Sequence, residues 1–192
     1  MTALILGLLV FLGVHLVPTS PPARDGLVRK LGEGPYKLAF TIASLLGFVL
    51  IVWGFGMARH SPTNMQLWTP PTWTKHIAFL LMWISFVLLV AAYVPSHIRD
   101  KAKHPMLAAV KVWALAHLIA NGDLAGVILF VAFLAWAVYD RISVKKRGAL
   151  GPLGSRHGGV TQDIIVVVVG TGAYLAMLFW GHPLLIGIRL VG

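Results

Sequence analysis

The chain has 192 residues, of which 58% are hydrophobic and 11% charged, a composition typical of a membrane-embedded bundle rather than a soluble domain. Its net charge of +10 lies in short segments between apolar stretches, where basic residues act as topology signals, so we expect no nucleic-acid binding. The absence of cysteine excludes disulfides, thiolate metal ligands and a cysteine nucleophile.

Six apolar stretches follow one another along the chain, and we predict one helix in each. They cover about residues 2–17, 36–58, 76–97, 105–120, 123–140 and 163–188. The second, third and sixth exceed the roughly 20 residues needed to cross a hydrocarbon core. The fourth and fifth are shorter and flank a turn at residues 121–123, so we expect a tilted or shallow hairpin there. The sequence thus predicts an all-α, polytopic transmembrane helix bundle as a single domain over residues 1–192.

The basic residues fall almost entirely on one side of this predicted topology. The connections after the first, third and fifth helices, with their flanks, hold thirteen Lys and Arg residues, and the opposite side holds three. Such an asymmetry is typical of cytoplasmic loops. We therefore expect a bacterial inner-membrane protein in contact with lipid, with its basic loops in the cytoplasm and both termini on the other side.

Two histidines, His15 and His117, fall inside predicted helices. An ionisable side chain at membrane depth is costly, so it usually faces the bundle interior and has a partner. One interpretation is a neutral imidazole that donates to a carbonyl or hydroxyl of a neighbouring helix. Because no carboxylate accompanies the two histidines inside the spans, ligation of a metal or haem is favoured over a proton relay.

The residues one turn on either side of His117 are Trp113 and Asn121, and we expect both to line a cofactor. The neighbouring positions are small: Ala114, Ala116 and Ala120. Such a surface can admit a flat macrocycle, although small residues also let membrane helices pack closely. The apolar residues around His15 suit a haem pocket and ordinary packing equally.

The remaining histidines lie near the predicted helix ends. His104 precedes Pro105 at the start of the fourth helix, where it suits a helix-start residue. Three others share the outer boundary, where they could form a polar rim or bind a metal: His60, His76 and His182. No zinc-protease, nucleotide-loop or paired-carboxylate motif is found in the sequence.

Five segments form a recognisable combination: residues 6–15 (LGLLVFLGVH), 46–55 (LGFVLIVWGF), 104–107 (HPML), 115–123 (LAHLIANGD) and 137–141 (AVYDR). Together they resemble the NnrU family of bacterial membrane proteins, whose plant and cyanobacterial relative is 15-cis-zeta-carotene isomerase. The resemblance implies haem b, which the isomerase branch holds through two His axial ligands to drive redox-dependent cis–trans isomerisation of a polyene. The matching positions are His15 and His117. The NnrU branch is associated with denitrification and nitric oxide metabolism.

Two features qualify this resemblance. The isomerase branch has Cys one turn before the second His, where this chain has Ala114, so a ligand switch to thiolate is excluded. The predicted topology also places His15 and His117 about 15 Å apart in depth, at about 1.5 Å per residue. Two ligands of one iron then require a tilted macrocycle or a shallow fourth helix. His104, at the depth of His15, is the reserve ligand.

The leading hypothesis is a membrane haem b protein with His15 and His117 as iron ligands, acting on a small gas or an isoprenoid-like polyene. A second hypothesis is a non-catalytic accessory or sensor protein for denitrification enzymes. A third is a membrane methyltransferase, because a His-Pro pair opens a late helix in isoprenylcysteine methyltransferase-like proteins. Those proteins follow it with an acidic pair, which residues 139–141 (YDR) replace here.

Overall fold

The computed structural model describes residues 1–151 and 153–191, and the regular structure in that part of the chain is helical. The helices are α1 (Thr2–Leu16), α2 (Pro21–Leu31), α3 (Glu33–Arg59), α4 (Thr74–Ala91), α5 (His97–Ala102), α6 (Pro105–Ala120), α7 (Leu124–Arg147), α8 (Val160–Ala176) and α9 (His182–Ile186). A 3-10 turn extends α1 through Thr19, and a π-turn joins α8 to α9. The all-α prediction is confirmed.

Several of these helices are long and apolar enough to cross a membrane: Thr2–Thr19, Glu33–Arg59, Thr74–Ala91, Leu124–Arg147 and Val160–Ile186. α6 is also apolar but has only 16 residues, which is about 24 Å against a hydrocarbon core of about 30 Å. Large apolar side chains such as Leu38, Val49 and Val168 point outward and are more than half exposed. The protein is therefore a multi-pass membrane protein whose outer surface contacts lipid.

The ends of α4 and α7 lie at least six residues from their predicted positions. α4 ends at Ala91 rather than at residue 97, because the chain turns into the short helix α5, where the Ser96 hydroxyl accepts the Arg99 backbone N–H. α7 continues to Arg147 rather than stopping at residue 140. Asp140 pairs with Arg147 at 3.7 Å, and the helix ends only at Gly148, whose φ of 59° suits glycine.

A helix was also missed in the segment after α1, which the sequence predicted to be a loop. α2 begins at Pro21, a first-turn position where the missing N–H of proline costs nothing. None of its residues is buried. It is a surface helix at the basic end of the bundle, by which we mean the end where α1, α4 and α7 finish and α6 begins.

α1 and α3 are packed closely through glycines. A Cβ placed on Gly47 of α3 would lie 2.7 Å from the backbone nitrogen of Phe11. A Cβ placed on Gly7 of α1 would lie 2.6 Å from the backbone nitrogen of Ile51. Glycine at these positions lets the two backbones touch, as small residues do between membrane helices.

α7 joins this α1–α3 pair to the remaining spans. α6 packs between α4 and α7, α8 packs on α4, and α7 makes smaller contacts with α1 and α3. Within the described part of the chain, the backbones of α1 and α6 do not meet. We call the region where the α1–α3 pair faces α6 and α7 the seam. Its buried residues include Leu4, Leu8, Ile51, Ala114, Leu129 and Phe130.

At the opposite end, Asp123 fixes the start of α7. Its carboxylate accepts the Gly126 backbone N–H at 2.9 Å and an Asn64 amide N–H at 3.3 Å. The side-chain Oδ1 of Asn64 in turn accepts a hydrogen bond from the Ala125 backbone N–H at 2.9 Å. These bonds attach the α3–α4 connection to the α6–α7 turn, so the two connections share one end of the bundle, as the predicted topology requires.

We expect Asp123→Ala to lower the free energy of unfolding by about 1–2 kcal/mol, because it removes a helix cap and leaves Asn64 without that partner. Thermal unfolding in detergent should show a melting temperature lower by about 2–8 °C. Asp25→Ala is the control, because Asp25 is exposed and pairs with its neighbour Arg24. Equal melting temperatures for the two variants would contradict the capping role.

Candidate functional site

His15 lies in the last turn of α1 and is partly buried. Its Nδ1 lies 2.6 Å from the carbonyl oxygen of Phe11. Because a carbonyl oxygen can only accept, the imidazole proton is on Nδ1, and Nε2 carries the lone pair that can bind a metal. A fixed Nδ1–H bond of this kind orients metal-binding histidines.

Aromatic rings from three helices surround His15. Its ring centroid is 4.2 Å from Phe11 in a stacked arrangement, 5.1 Å from Phe40 on α3, and 5.8 Å from Trp136 on α7 in an edge-on arrangement. Tyr36 extends this group through a 6.3 Å contact with Phe40. The imidazole therefore lies in an aromatic pocket at the seam, near the basic end of the bundle.

Two buried polar atoms on the helices that form this pocket lack hydrogen-bond partners among the described residues. They are the indole Nε1 of Trp136 and the hydroxyl oxygen of Ser44, which lies one turn beyond Phe40 on α3. A buried polar group without a partner costs about 1–3 kcal/mol. Such groups indicate where a polar atom of a ligand would be stabilised, so the His15 pocket fits a bound group.

His117 occupies a second aromatic pocket, toward the other end of α6. Its Nδ1–H donates to the Trp113 carbonyl oxygen at 2.9 Å, and its ring stacks on Phe130 of α7 with centroids 4.4 Å apart. The Trp113 ring contacts the imidazole at 5.3 Å. The Asn121 amide instead donates to the His117 backbone carbonyl at 2.9 Å, so that side chain is used in ending α6.

The His15 and His117 pockets are connected through contacts between aromatic rings of other residues. Phe133 of α7 lies 5.7 Å from Phe11 and 5.3 Å from Trp113, and so connects the two pockets. Along the axis of α7, the His117 ring contacts Phe130, and the His15 ring contacts Trp136. Those two α7 residues are six positions apart, about 9 Å along the helix axis at 1.5 Å per residue.

This separation matters for haem ligation. Two imidazoles on one iron have their ligating nitrogens about 4 Å apart, at about 2 Å per metal–nitrogen bond. The offset of about 9 Å along α7 is larger than this separation in the packing described here. Each imidazole taken alone presents Nε2 beside an aromatic wall.

The reserve ligand His104 belongs to another part of the fold. It caps the start of α6 and lines a cavity rich in basic residues rather than the aromatic seam. Burial lowers the pKa of His104 from its ordinary value, and the nearby positive charge of Arg141 lowers that pKa further. Both effects favour the neutral form of His104.

The predicted alternative of a metal site at the outer boundary is not supported. Nδ1–H of His60 donates to the Gly56 carbonyl, and Nδ1–H of His182 donates to the Ile188 carbonyl. Across residues 1–151 and 153–191, no group of three or more His, Asp or Glu side chains could hold a metal ion. The bond of His60 also shows that a helical His–carbonyl contact alone does not identify a ligand.

Sequence reasoning missed the pocket residues contributed by α3 and α7: Phe40, Ser44, Phe133 and Trp136. The sequence did contain a signal for the aromatic residues of α7. Phe130, Phe133 and Trp136 recur every three residues, which places them along one face of a helix. No comparable pattern marks Ser44.

Comparison with known proteins gives one match. The model of a protein family described as NnrU protein matches residues 3–190, nearly the whole chain. No curated protein and no solved structure matches the chain.

Proposed function

Because the chain belongs to the NnrU family, we propose that it is an integral membrane haem b protein that serves nitric oxide or denitrification metabolism. The seam would hold the haem, and His15 would bind its iron. When bound there, haem would supply one-electron redox and gas-binding chemistry.

The His15 pocket is the observation that carries this proposal. The Nδ1–H bond to Phe11 fixes the tautomer and orientation of the imidazole, so Nε2 is available for iron. Aromatic rings from three helices cover part of the imidazole. The Trp136 indole N–H and the Ser44 hydroxyl are buried donors without acceptors among the described residues, and each can donate to a polar atom of a bound group.

His117 is the candidate second ligand, with Trp113 against its ring and Asn121 at its backbone. It can share an iron with His15 only in a packing that brings α6 closer to α1 than it is here. Single His15 ligation and paired ligation therefore predict different results for the two histidine variants.

The test is the oxidised and reduced absorption spectrum of protein purified in detergent after expression with ample haem. We expect a Soret band for the native protein and at least a tenfold lower haem content for His15→Ala, since the iron loses its ligand. With His15 alone as ligand, His117→Ala retains haem. A matching loss in His117→Ala would indicate paired ligation in a different packing.

His60→Ala is the matched control, because His60 makes the same Nδ1–H bond to a carbonyl but lies outside the seam. Its haem content should equal that of the native protein. Native protein without a Soret band, or an unchanged spectrum in His15→Ala, would overturn the proposal.

Isomerisation of an isoprenoid-like polyene is the second candidate function. The apolar and aromatic lining of the seam favours it, since a polyene would pack against such side chains. Ala114 is buried in the seam at the position where the isomerase branch has Cys, so a thiolate takes no part. Turnover of a cis-polyene by the purified protein would separate this activity from a non-catalytic accessory or sensor role.

The charge asymmetry supports a bacterial inner-membrane location for this function, with the basic end of the bundle in the cytoplasm. In that orientation the His15 pocket lies nearer the cytoplasmic face than the His117 pocket. The methyltransferase alternative also stays a hypothesis, and binding of S-adenosylmethionine would test it.

A further inference from the structure

A cavity of about 520 Å³ lies at the basic end of the bundle. Its walls come from the end of α5, the start of α6, the last turns of α7 and the connection that follows α7. The charged and titratable side chains in its lining include Arg99, Asp100, Lys103, His104, Arg141 and Lys145. The cavity is separate from the aromatic seam, and the inference drawn from it does not depend on haem binding.

The outer wall is held in place by Arg99. Its guanidinium is only 8% exposed and donates to the carbonyl oxygens of Arg156 at 2.7 Å and Gly154 at 2.6 Å. These bonds attach the connection after α7 to α5. The wall is therefore fixed by a buried side chain rather than formed by a loosely attached loop.

The acidic residue in this lining is already engaged. One carboxylate oxygen of Asp100 lies 3.0 Å from Nδ1 of His157, and the other lies 3.6 Å from the Arg99 guanidinium. Asp140, on the neighbouring turn of α7, pairs with Arg147 at 3.7 Å. Neither carboxylate therefore neutralises the other cations of the cavity.

Three cations remain uncompensated. Within residues 1–151 and 153–191, Lys103, Arg141 and Lys145 form no ion pair with a carboxylate. Arg141 and Lys145 lie on α7 and Lys103 lies between α5 and α6, and all three line one open cavity, where their mutual repulsion is unfavourable. An anion bound between them would relieve that repulsion.

We propose that this cavity binds a phosphate-bearing anion, either a lipid headgroup or a soluble phosphate ester, through Lys103, Arg141 and Lys145. Arg and Lys are the side chains that proteins use to bind phosphate oxygens. Basic cavities between helices at the cytoplasmic side of a membrane suit anionic headgroups. Leu150 lines the same cavity and is 67% exposed, so an apolar contact is available beside the charged ones.

The test measures binding of phosphatidylglycerol, phosphatidylcholine and glycerol 3-phosphate to delipidated protein in detergent. We expect phosphatidylglycerol to bind more tightly than phosphatidylcholine, because the latter carries no net charge. The double variant Arg141→Gln/Lys145→Gln should bind phosphatidylglycerol about 25-fold more weakly, at about fivefold for each cation removed.

The matched control is Lys30→Gln/Lys75→Gln, which removes two charges from exposed positions that do not line the cavity. Its affinity for phosphatidylglycerol should change by less than about twofold, since distant surface charges are screened. Lys145→Gln alone, at an exposed position, provides the same comparison if the double variant does not fold.

The choice of ligands also distinguishes a lipid headgroup from a soluble phosphate ester. Competition by glycerol 3-phosphate at the cavity would identify a soluble phosphate ester, whereas phosphatidylglycerol binding without such competition would identify a lipid headgroup. Equal weakening in the cavity and control variants, or no binding of either anion, would overturn the proposal.

Discussion

Gly47→Ala is expected to destabilise the protein by about 2–3 kcal/mol or more, because an added methyl group overpacks the contact between α1 and α3. The new Cβ would lie 2.7 Å from the backbone nitrogen of Phe11 and 2.9 Å from its Cα. These are backbone atoms, so no rotamer change relieves the overlap, and α1 and α3 must move apart. Unfolding in detergent, followed by circular dichroism, measures the loss.

Gly56→Ala on the same helix is the matched control. A Cβ at Gly56 meets nothing within 4 Å, so this change should be neutral or stabilise α3 by up to about 1 kcal/mol through helix propensity. Gly13→Ala is the corresponding control on α1, where the space is also open. Equal stability of Gly47→Ala and Gly56→Ala would show that α1 and α3 do not meet as described.

The second large effect is expected for Arg99→Met, which keeps much of the side-chain volume but removes the guanidinium. The carbonyls of Gly154 and Arg156 would lose their donors, and a hydrogen bond from a charged donor contributes about 1.5–3 kcal/mol. We therefore expect a lower melting temperature together with rapid proteolysis between residues 148 and 158, because that connection is no longer attached to α5.

Lys101→Met is the control for this prediction, since Lys101 is exposed on the same short helix. It should leave both the melting temperature and the proteolysis rate near those of the native protein. Arg99→Lys should behave like Arg99→Met, because one ammonium group does not reproduce the bidentate geometry with which a guanidinium donates to two carbonyl oxygens. Native protease resistance in Arg99→Met would contradict this role of Arg99.

Much of the fold follows from local signals in the sequence. α6 spans Pro105–Ala120, as predicted, because Pro105 marks its start and the Asn-Gly-Asp turn marks its end. The predicted end of α7 was wrong, because the charged residues that follow position 140 in the sequence are typical of a loop. The pairing of Asp140 with Arg147 becomes visible only once the two residues lie on one face of a helix, about two turns apart.

The site was less predictable. The sequence could single out His15 and His117 as histidines within helices, but their distance depends on how α1, α6 and α7 pack. Hydrophobic periodicity does not reveal that α7 contacts both α1 and α6. The 9 Å offset estimated from Phe130 and Trp136 is smaller than the 15 Å expected from helix lengths alone. Haem ligation itself stays a prediction.

The glycine-mediated contact of α1 with α3 has a consequence for biogenesis. Both helices lie within the first 59 residues, so every atom of that contact has been synthesised before α4 leaves the ribosome. The N-terminal hairpin can therefore dock in the bilayer on its own, and the later spans are added to a partner that has already formed.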